Sequence, residues 1–264
     1  MPTIHGNGID IYYEQRGSGP RLLYFQGSGQ TLAKSGVMVD GWAKNFEVVA
    51  HDQRGLGQTE IPPGPYEMAD YAADAAALLD AVGWDSCRMV GTSFGGMVAQ
   101  EFAVTSPERV ERLGLVCTSP GGDYASYPLH TLAELPPDEA KALGATLLDG
   151  RFTPEYLAEH DDARALVEMI ADMQGAPASD EVRRGEAAQL DARSRLNVID
   201  RLAKITSPTL VQAGKYDHIA PPANAEVIAE HIPNSELRLY EGGHIFFLQD
   251  PQAVPDAMEF LAAD

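Results

Sequence analysis

Residues 88–100 read Arg88-Met89-Val90-Gly91-Thr92-Ser93-Phe94-Gly95-Gly96-Met97-Val98-Ala99-Gln100. A short apolar run ends at a Gly-x-Ser-x-Gly motif, and apolar residues at helical spacing follow directly. This context predicts that Ser93 stands at a sharp turn between a strand and a helix, with its hydroxyl presented as a nucleophile. A glycine-rich loop is the alternative, but the flanking strand and helix patterns favour the turn.

The glycines and the helix start have physical reasons at this turn. Because glycine lacks a Cβ, Gly91 and Gly95 let strand and helix pass close to a serine held in a strained conformation. A helix that begins at Phe94 aims free amides and its positive end at the same spot, where a developing oxyanion would be stabilised.

Length, charge and cysteine content exclude several classes of protein. A chain of 264 residues is near the upper limit of one hydrophobic core, so one domain with an insertion is expected. Its formal charge of −20 disfavours binding to nucleic acid or an anionic membrane surface. Since neither a membrane-spanning run nor a leader is recognised, a cytoplasmic protein is expected. Cys87 and Cys117 match neither a disulfide framework nor a metal site, and we expect both to be buried.

The rest of the chain alternates strand and helix patterns, which predicts a mostly parallel sheet with helices on both faces, an α/β fold. The predicted strands are 3–5, 9–14, 22–25, 46–50, 89–90, 110–117, 208–214 and 236–240, and the predicted helices are 66–82, 97–104, 223–231 and 251–261.

Residues 120–195 differ from the rest because they contain acid-rich helical pieces and no strand pattern. Helices are predicted at 133–148, 154–159, 162–173 and 180–190. We therefore expect a helical lid, or cap, of residues 120–195 inserted into a core of residues 1–119 and 196–264.

A serine nucleophile needs a histidine to take its proton and a carboxylate to orient that histidine. Asp217 follows one late strand and His244 follows the next, so both fall at the carboxyl edge of the sheet, where ligands bind. We assign Ser93 as the nucleophile, His244 as the base and Asp217 as its orienting acid.

Other residues compete for these roles. His218 is adjacent to Asp217, so its side chain points elsewhere, and Glu241 is too close to His244 in sequence to replace Asp217. His51 could line the pocket, while Asp52 is expected to stabilise a turn. Asp250 is expected to cap the helix that follows it.

These features together resemble the α/β-hydrolase family over nearly the full length of the chain. The motifs are Gly91-Thr92-Ser93-Phe94-Gly95, the order Ser93, Asp217, His244, the loop Asp52-Gln53-Arg54-Gly55-Leu56-Gly57, and Gly242-Gly243-His244. Within the family the chain looks most like small bacterial esterases and 3-oxoadipate enol-lactonases. The resemblance implies an oxyanion hole formed by the amides of Ser28 and Phe94. The chain has Gln26-Gly27 where the family usually has His-Gly.

The resemblance implies hydrolysis of a carboxylic ester or lactone of a small molecule through an acyl-enzyme, with no metal or organic cofactor. A homodimer is possible. Three alternatives stay open on the same fold: a carbon-carbon bond hydrolase of ring-cleavage products, a cofactor-free lyase or perhydrolase, and a ligand-binding receptor. A dicarboxylate lactone would call for a buried arginine in the lid, but the sequence does not choose among Arg151, Arg164, Arg183, Arg184 and Arg193.

Overall fold

The computed structural model describes residues 2–173 and 179–263. Its centre is an eight-stranded sheet. The strands are β1 (Thr3–Gly6), β2 (Ile9–Gly17), β3 (Arg21–Phe25), β4 (Glu47–His51), β5 (Cys87–Thr92), β6 (Val110–Val116), β7 (Thr209–Gly214) and β8 (Ser235–Tyr240). They lie in the order β1-β2-β4-β3-β5-β6-β7-β8. The antiparallel pairs are β1 with β2 and β2 with β4, and the pairs from β4 to β8 are parallel.

Helices cover both faces of this sheet. They are α1 (Leu32–Trp42), α2 (Met68–Ala81), α3 (Phe94–Thr105), α4 (Pro137–Leu148), α5 (Pro154–Glu159), α6 (Asp161–Met173), α7 (Asp180–Ser194), α8 (Pro222–His231), α9 (Phe246–Gln249) and α10 (Ala253–Ala262). Apolar residues of α2, α3 and α8 form a core with one face of the sheet, and those of α1, α9 and α10 form a core with the other. The predicted α/β-hydrolase architecture is confirmed.

The composition of the central strands explains this arrangement. All six residues of β7 are buried, and so are the four residues Leu22 to Phe25 of β3. Strands covered on both faces need continuous apolar runs, whereas the half-exposed edge strand β8 alternates polar and apolar residues. Because the strands from β4 to β8 are parallel, their carboxyl ends lie at one edge of the sheet, and this edge carries the candidate site.

Residues 120–195 lie between β6 and β7, and the described part of this insertion is helical, as predicted. It has a small core of its own around Phe152, Ala145 and Ala163. Residues 174–178 of the predicted lid lie outside the described residues. The helix predicted at 133–148 begins only at Pro137, after a 3-10 helix at Leu129–Glu134, because Pro136 and Pro137 interrupt the helical hydrogen bonds.

The sequence did not indicate α1, and its composition explains why. The helix contains Gly36 and Gly41, and its N-cap residue Thr31 makes no side-chain capping bond. The backbone amide of Leu32 instead donates to the Asp52 carboxylate, a contact from a distant turn that sequence patterns do not reveal. Among the described residues, no helix is both long enough and apolar enough to span a membrane.

Candidate active site

The predicted sharp turn is present at Ser93. This residue has φ 55° and ψ −115°, a conformation that is strained for a side chain with a Cβ, and it lies between the end of β5 and the start of α3. A Cβ on Gly91 would lie 2.3 Å from the backbone oxygen of Gly95, and one on Gly95 would lie 2.1 Å from that of Phe25. The glycines are thus required by close approach of the backbones.

The structure brings Ser93, His244 and Asp217 together. His244 Nε2 lies 3.0 Å from Ser93 Oγ, and His244 Nδ1 lies 2.7 Å from Asp217 Oδ2. The other carboxylate oxygen, Oδ1, accepts hydrogen bonds from the amides of Ile219 and Ala220, each at 2.8 Å. Asp217 is also buried. Because both of its carboxylate oxygens accept hydrogen bonds, its orientation is fixed.

These contacts determine the roles of the two ring nitrogens. An ionised carboxylate only accepts, so Nδ1 carries the proton and Nε2 is free to accept the hydroxyl proton of Ser93. Burial lowers the pKa of His244, but the charge of Asp217, the neighbouring Cys117 and the hydrogen bonds to both together outweigh burial and raise the pKa above its ordinary value. The arrangement can activate a hydroxyl and stabilise an imidazolium.

The loop after β3 lies against this serine. A Cβ on Gly27 would be 3.7 Å from that of Ser93, so the loop that carries Ser28 borders the nucleophile. The Gln53 side chain donates to the Gln26 carbonyl at 2.8 Å and holds the loop in place. Phe94 is the first residue of α3, so its amide has no acceptor within the helix. An oxyanion hole at Ser28 and Phe94 stays a prediction.

The competing carboxylates and histidines lie elsewhere. Exposed Glu241 pairs with Lys215, and His218 packs against the insertion at Gly150. Asp52 stabilises its turn, as predicted, by accepting from the amides of Leu32 and Gln58.

His51 is buried, and burial lowers its pKa to about 4, which keeps its ring neutral. That His51 lines the pocket stays a prediction. The prediction that Asp250 is a helix N-cap was wrong. Gln252 holds that position, and Asp250 accepts from its amide and from that of Glu241.

Sequence reasoning missed the segment 147–151 of the insertion, which contacts the loops of both Asp217 and His244. Leu148 O accepts from the amide of His244 at 2.6 Å, and the Gly150 amide donates to Tyr216 O at 2.8 Å. The buried Asp149 carboxylate accepts from Gln249 Nε2, whose Oε1 accepts from the Gly243 amide. No local signal in the sequence identifies this segment, because its partners are about 70 to 100 positions away.

Both cysteines are buried, as expected, and both are free thiols. Cys117 has a φ of 44° and its thiol adjoins the ring of His244. Within residues 2–173 and 179–263, no group of three or more His, Cys, Asp or Glu side chains is placed to hold a metal ion.

Comparison with known proteins identifies the family. Residues 20–251 match the model of the alpha/beta hydrolase fold. The chain belongs to the α/β-hydrolase family. This α/β-hydrolase is 30% identical to a poly(3-hydroxyalkanoate) depolymerase of Ectopseudomonas oleovorans over 91% of this chain and 83% of the relative. It is 26% identical to 3-oxoadipate enol-lactonase 2 of Acinetobacter baylyi, over 97% of this chain and 94% of the relative.

The solved structures agree on the fold. The crystal structure of the enol-lactonase from Burkholderia xenovorans LB400 matches with a TM-score of 0.81 at 22% identity, covering 99% of this α/β-hydrolase and 100% of the other chain. At that identity the match establishes the shared fold alone.

Proposed function

We propose that this α/β-hydrolase cleaves a carboxylic ester or lactone through a catalytic triad of Ser93, His244 and Asp217. One observation carries the proposal: the continuous hydrogen-bond chain from Ser93 Oγ through both nitrogens of His244 to a buried, fully bonded Asp217. A structural role would not require a strained serine at the carboxyl edge of the sheet.

The proposed reaction begins when Ser93 Oγ attacks the carbonyl carbon and its proton passes to His244 Nε2. The amides of Ser28 and Phe94 would hold the negative oxygen of the tetrahedral intermediate. As that intermediate collapses, the bond to the leaving oxygen breaks and His244 returns the proton to it. Water, which gives a proton to the same histidine, then attacks the acyl-enzyme; the bond from the acyl carbon to Ser93 Oγ breaks, His244 returns the proton to Ser93 Oγ, and the acid leaves.

The type of bond follows from the chemistry of the triad and is supported by the relatives. A serine nucleophile suits acyl transfer, and the sequence relatives include proteins named as a depolymerase and a lactonase. Residues 120–195 would act as the lid of the site, because segment 147–151 is bonded to the loops of His244 and Asp217.

The first test is labelling with a fluorophosphonate probe, read by intact mass, together with hydrolysis of a short 4-nitrophenyl ester. We expect the wild type to be labelled once and to turn over the ester. Ser93→Ala should lose both, with a decrease in kcat of about 10⁵-fold or more. Ser86→Ala is the matched control, since Ser86 is remote and bonded to Glu111, and it should behave like the wild type.

Equal labelling of Ser93→Ala would remove the nucleophile assignment. Labelling at Ser93 without ester hydrolysis would favour the other chemistries of this fold. Turnover of a chromogenic dienoate would then indicate carbon-carbon bond hydrolysis, and tight binding without turnover would indicate a receptor.

A further inference from the structure

Arg193, near the end of α7, is a buried cation with unusual surroundings. It is 6% exposed, and its Nε and Nη2 donate to Ser126 Oγ at 2.9 and 2.7 Å. Nη2 also donates to Tyr127 O at 3.0 Å. Nη1 is buried and has no hydrogen-bond partner among the described residues. A buried, incompletely bonded guanidinium is costly unless another group completes it.

The other four arginines suggested for the insertion all have carboxylate partners. Arg151 pairs with Asp149, Arg164 with Asp161, Arg183 with Asp180 and Arg184 with Glu181. Arg193 forms no ion pair within the described part of the chain, and the charge of Asp217 acts on it only from beyond ion-pair distance. The structure thus separates Arg193 from the four arginines that already have an anionic partner.

The buried face of α7 is bonded directly to the loop of Ser28 and, through Tyr127, to the loop of Asp217. Gln189, one turn before Arg193, accepts from the Gly29 amide at 2.9 Å, next to the loop of Ser28. At the other end, Tyr127, to which Arg193 donates, is bonded through its own amide to Ile219 O, two residues after Asp217. Residues four apart share one helix face, so Gln189 and Arg193 together span the site from the oxyanion loop to the acid loop.

The unsatisfied groups on this face are donors. Besides Arg193 Nη1, Gln189 Nε2 is buried with no partner among the described residues. A cation and an amide N–H both bind a negatively charged group that accepts hydrogen bonds and donates none. The anion that best matches the geometry of a guanidinium is a carboxylate. Burial lowers the pKa of Arg193 to about 10, so it remains a cation at neutral pH.

We infer that Arg193, assisted by Gln189, binds a carboxylate of the substrate, so that this α/β-hydrolase prefers an anionic ester or lactone to a neutral one. This inference rests on the proposed function of Ser93, His244 and Asp217. The net charge of −20 makes the surface repel anions, and a buried cation on the helix that contacts the Ser28 loop supplies the local attraction that such a substrate needs.

The experiment compares two 4-nitrophenyl esters that differ in charge. The hexanoate is neutral, and the monoester of glutaric acid has a carboxylate in place of the terminal ethyl group. After correction for spontaneous hydrolysis, we expect the wild type to have the higher kcat/KM on the glutarate ester. Arg193→Gln should lower that value by about ten- to a hundredfold, mainly through KM, because one charge-assisted hydrogen bond is lost. Its activity on the hexanoate should change by less than about threefold.

Two further variants separate charge from structure. Arg193→Lys keeps the positive charge but lacks the planar guanidinium group, so it should recover part of the preference for the glutarate ester. Arg184→Gln is the matched control, since Arg184 lies on the same helix but is exposed and paired with Glu181, and it should leave both esters unaffected.

A binding measurement keeps this inference separate from the proposed chemistry. Glutarate should raise the Tm of the wild type and of Ser93→Ala, but not that of Arg193→Gln. No labelling at Ser93 together with intact stabilisation by glutarate would remove the proposed hydrolysis and leave the anion site. A wild type that neither prefers the glutarate ester nor is stabilised by glutarate would overturn the inference, and so would equal losses on both esters in Arg193→Gln.

Discussion

At the scale of single residues, the pKa of His244 sets the pH at which the proposed chemistry starts. The ring must be neutral to accept the proton of Ser93, so activity should rise as pH passes upward through this pKa. Asp217 raises that pKa, which places the rising limb above the range of an unperturbed histidine.

Asp217→Asn should therefore change two quantities. Loss of the negative charge lowers the pKa of His244 and moves the rising limb of kcat/KM to lower pH. The maximum rate should fall by about 10³- to 10⁴-fold, because the amide no longer holds the productive tautomer. The measurement is a pH profile of kcat/KM on a 4-nitrophenyl ester.

Glu241→Gln is the control for this profile, because Glu241 is exposed and its carboxylate pairs with Lys215. This variant should leave the pH of the rising limb unchanged. If the rising limb of the kcat/KM profile of Asp217→Asn stayed at the same pH or moved to higher pH, the assignment of Asp217 as the partner of His244 would be contradicted.

The sequence predicts that Ser93, Asp217 and His244 lie close together, as the structure shows, but it does not predict the burial of Arg193. Ser93, Asp217 and His244 each follow a recognisable strand, and parallel strands end at one edge of a sheet. The burial of Arg193 depends on Ser126 and Tyr127, more than 60 positions away. When a helix is rich in polar residues, tertiary contacts decide which of its side chains are buried. Local sequence patterns do not reveal those contacts.

At the scale of secondary-structure elements, segment 147–151 links the insertion to the loop of His244. Asp149 is buried between Arg151 and Gln249, and Gln249 in turn holds the Gly243 amide beside His244. We expect Asp149 to be a positioning residue, since its carboxylate fixes the amide side chain that orients the histidine loop.

Asp149→Ala should lower both stability and kcat. We expect a loss of about 2 kcal/mol in the free energy of unfolding, below the 3–5 kcal/mol of a fully buried pair because Arg151 is partly exposed. The kcat should fall about tenfold with KM little changed, as expected when a catalytic group is misplaced. Urea unfolding and steady-state kinetics measure the two effects.

Arg151→Gln is the matched comparison, because it removes the ion pair but keeps the bond between Asp149 and Gln249. It should lose stability and keep its kcat. If both variants lost kcat equally, Asp149 would act only through the ion pair, and its positioning role would be excluded.

The prediction of elements follows the strength of their local patterns. The buried strands of the parallel sheet are continuous apolar runs, and their positions were predicted to within a few residues. The helix α1 was missed because it contains two glycines and is anchored by Asp52 from another loop. Contacts between the insertion and the histidine loop could not be predicted, since they join segments far apart in the chain.

At the scale of the whole molecule, the excess of acidic residues opposes folding. The chain has 39 Asp and Glu against 19 Lys and Arg. Many of its ion pairs are exposed, such as that of Arg164 with Asp161, and exposed pairs contribute little to stability. The net repulsion among the remaining carboxylates acts over distances comparable to the Debye length, about 10 Å at 0.1 M salt, so added salt screens it.

Raising NaCl from about 20 mM to about 200 mM at neutral pH should therefore raise the Tm, by about 2 to 4 °C for each kcal/mol of repulsion relieved. Differential scanning fluorimetry or calorimetry measures this shift, and an equal osmolarity of sucrose controls for effects that are not ionic. Salt also weakens attractive pairs, but the buried pair of Arg54 with Asp74 is screened much less than the surface charges. A Tm that fell with salt would mean that attractive pairs outweigh the repulsion of 20 unbalanced negative charges.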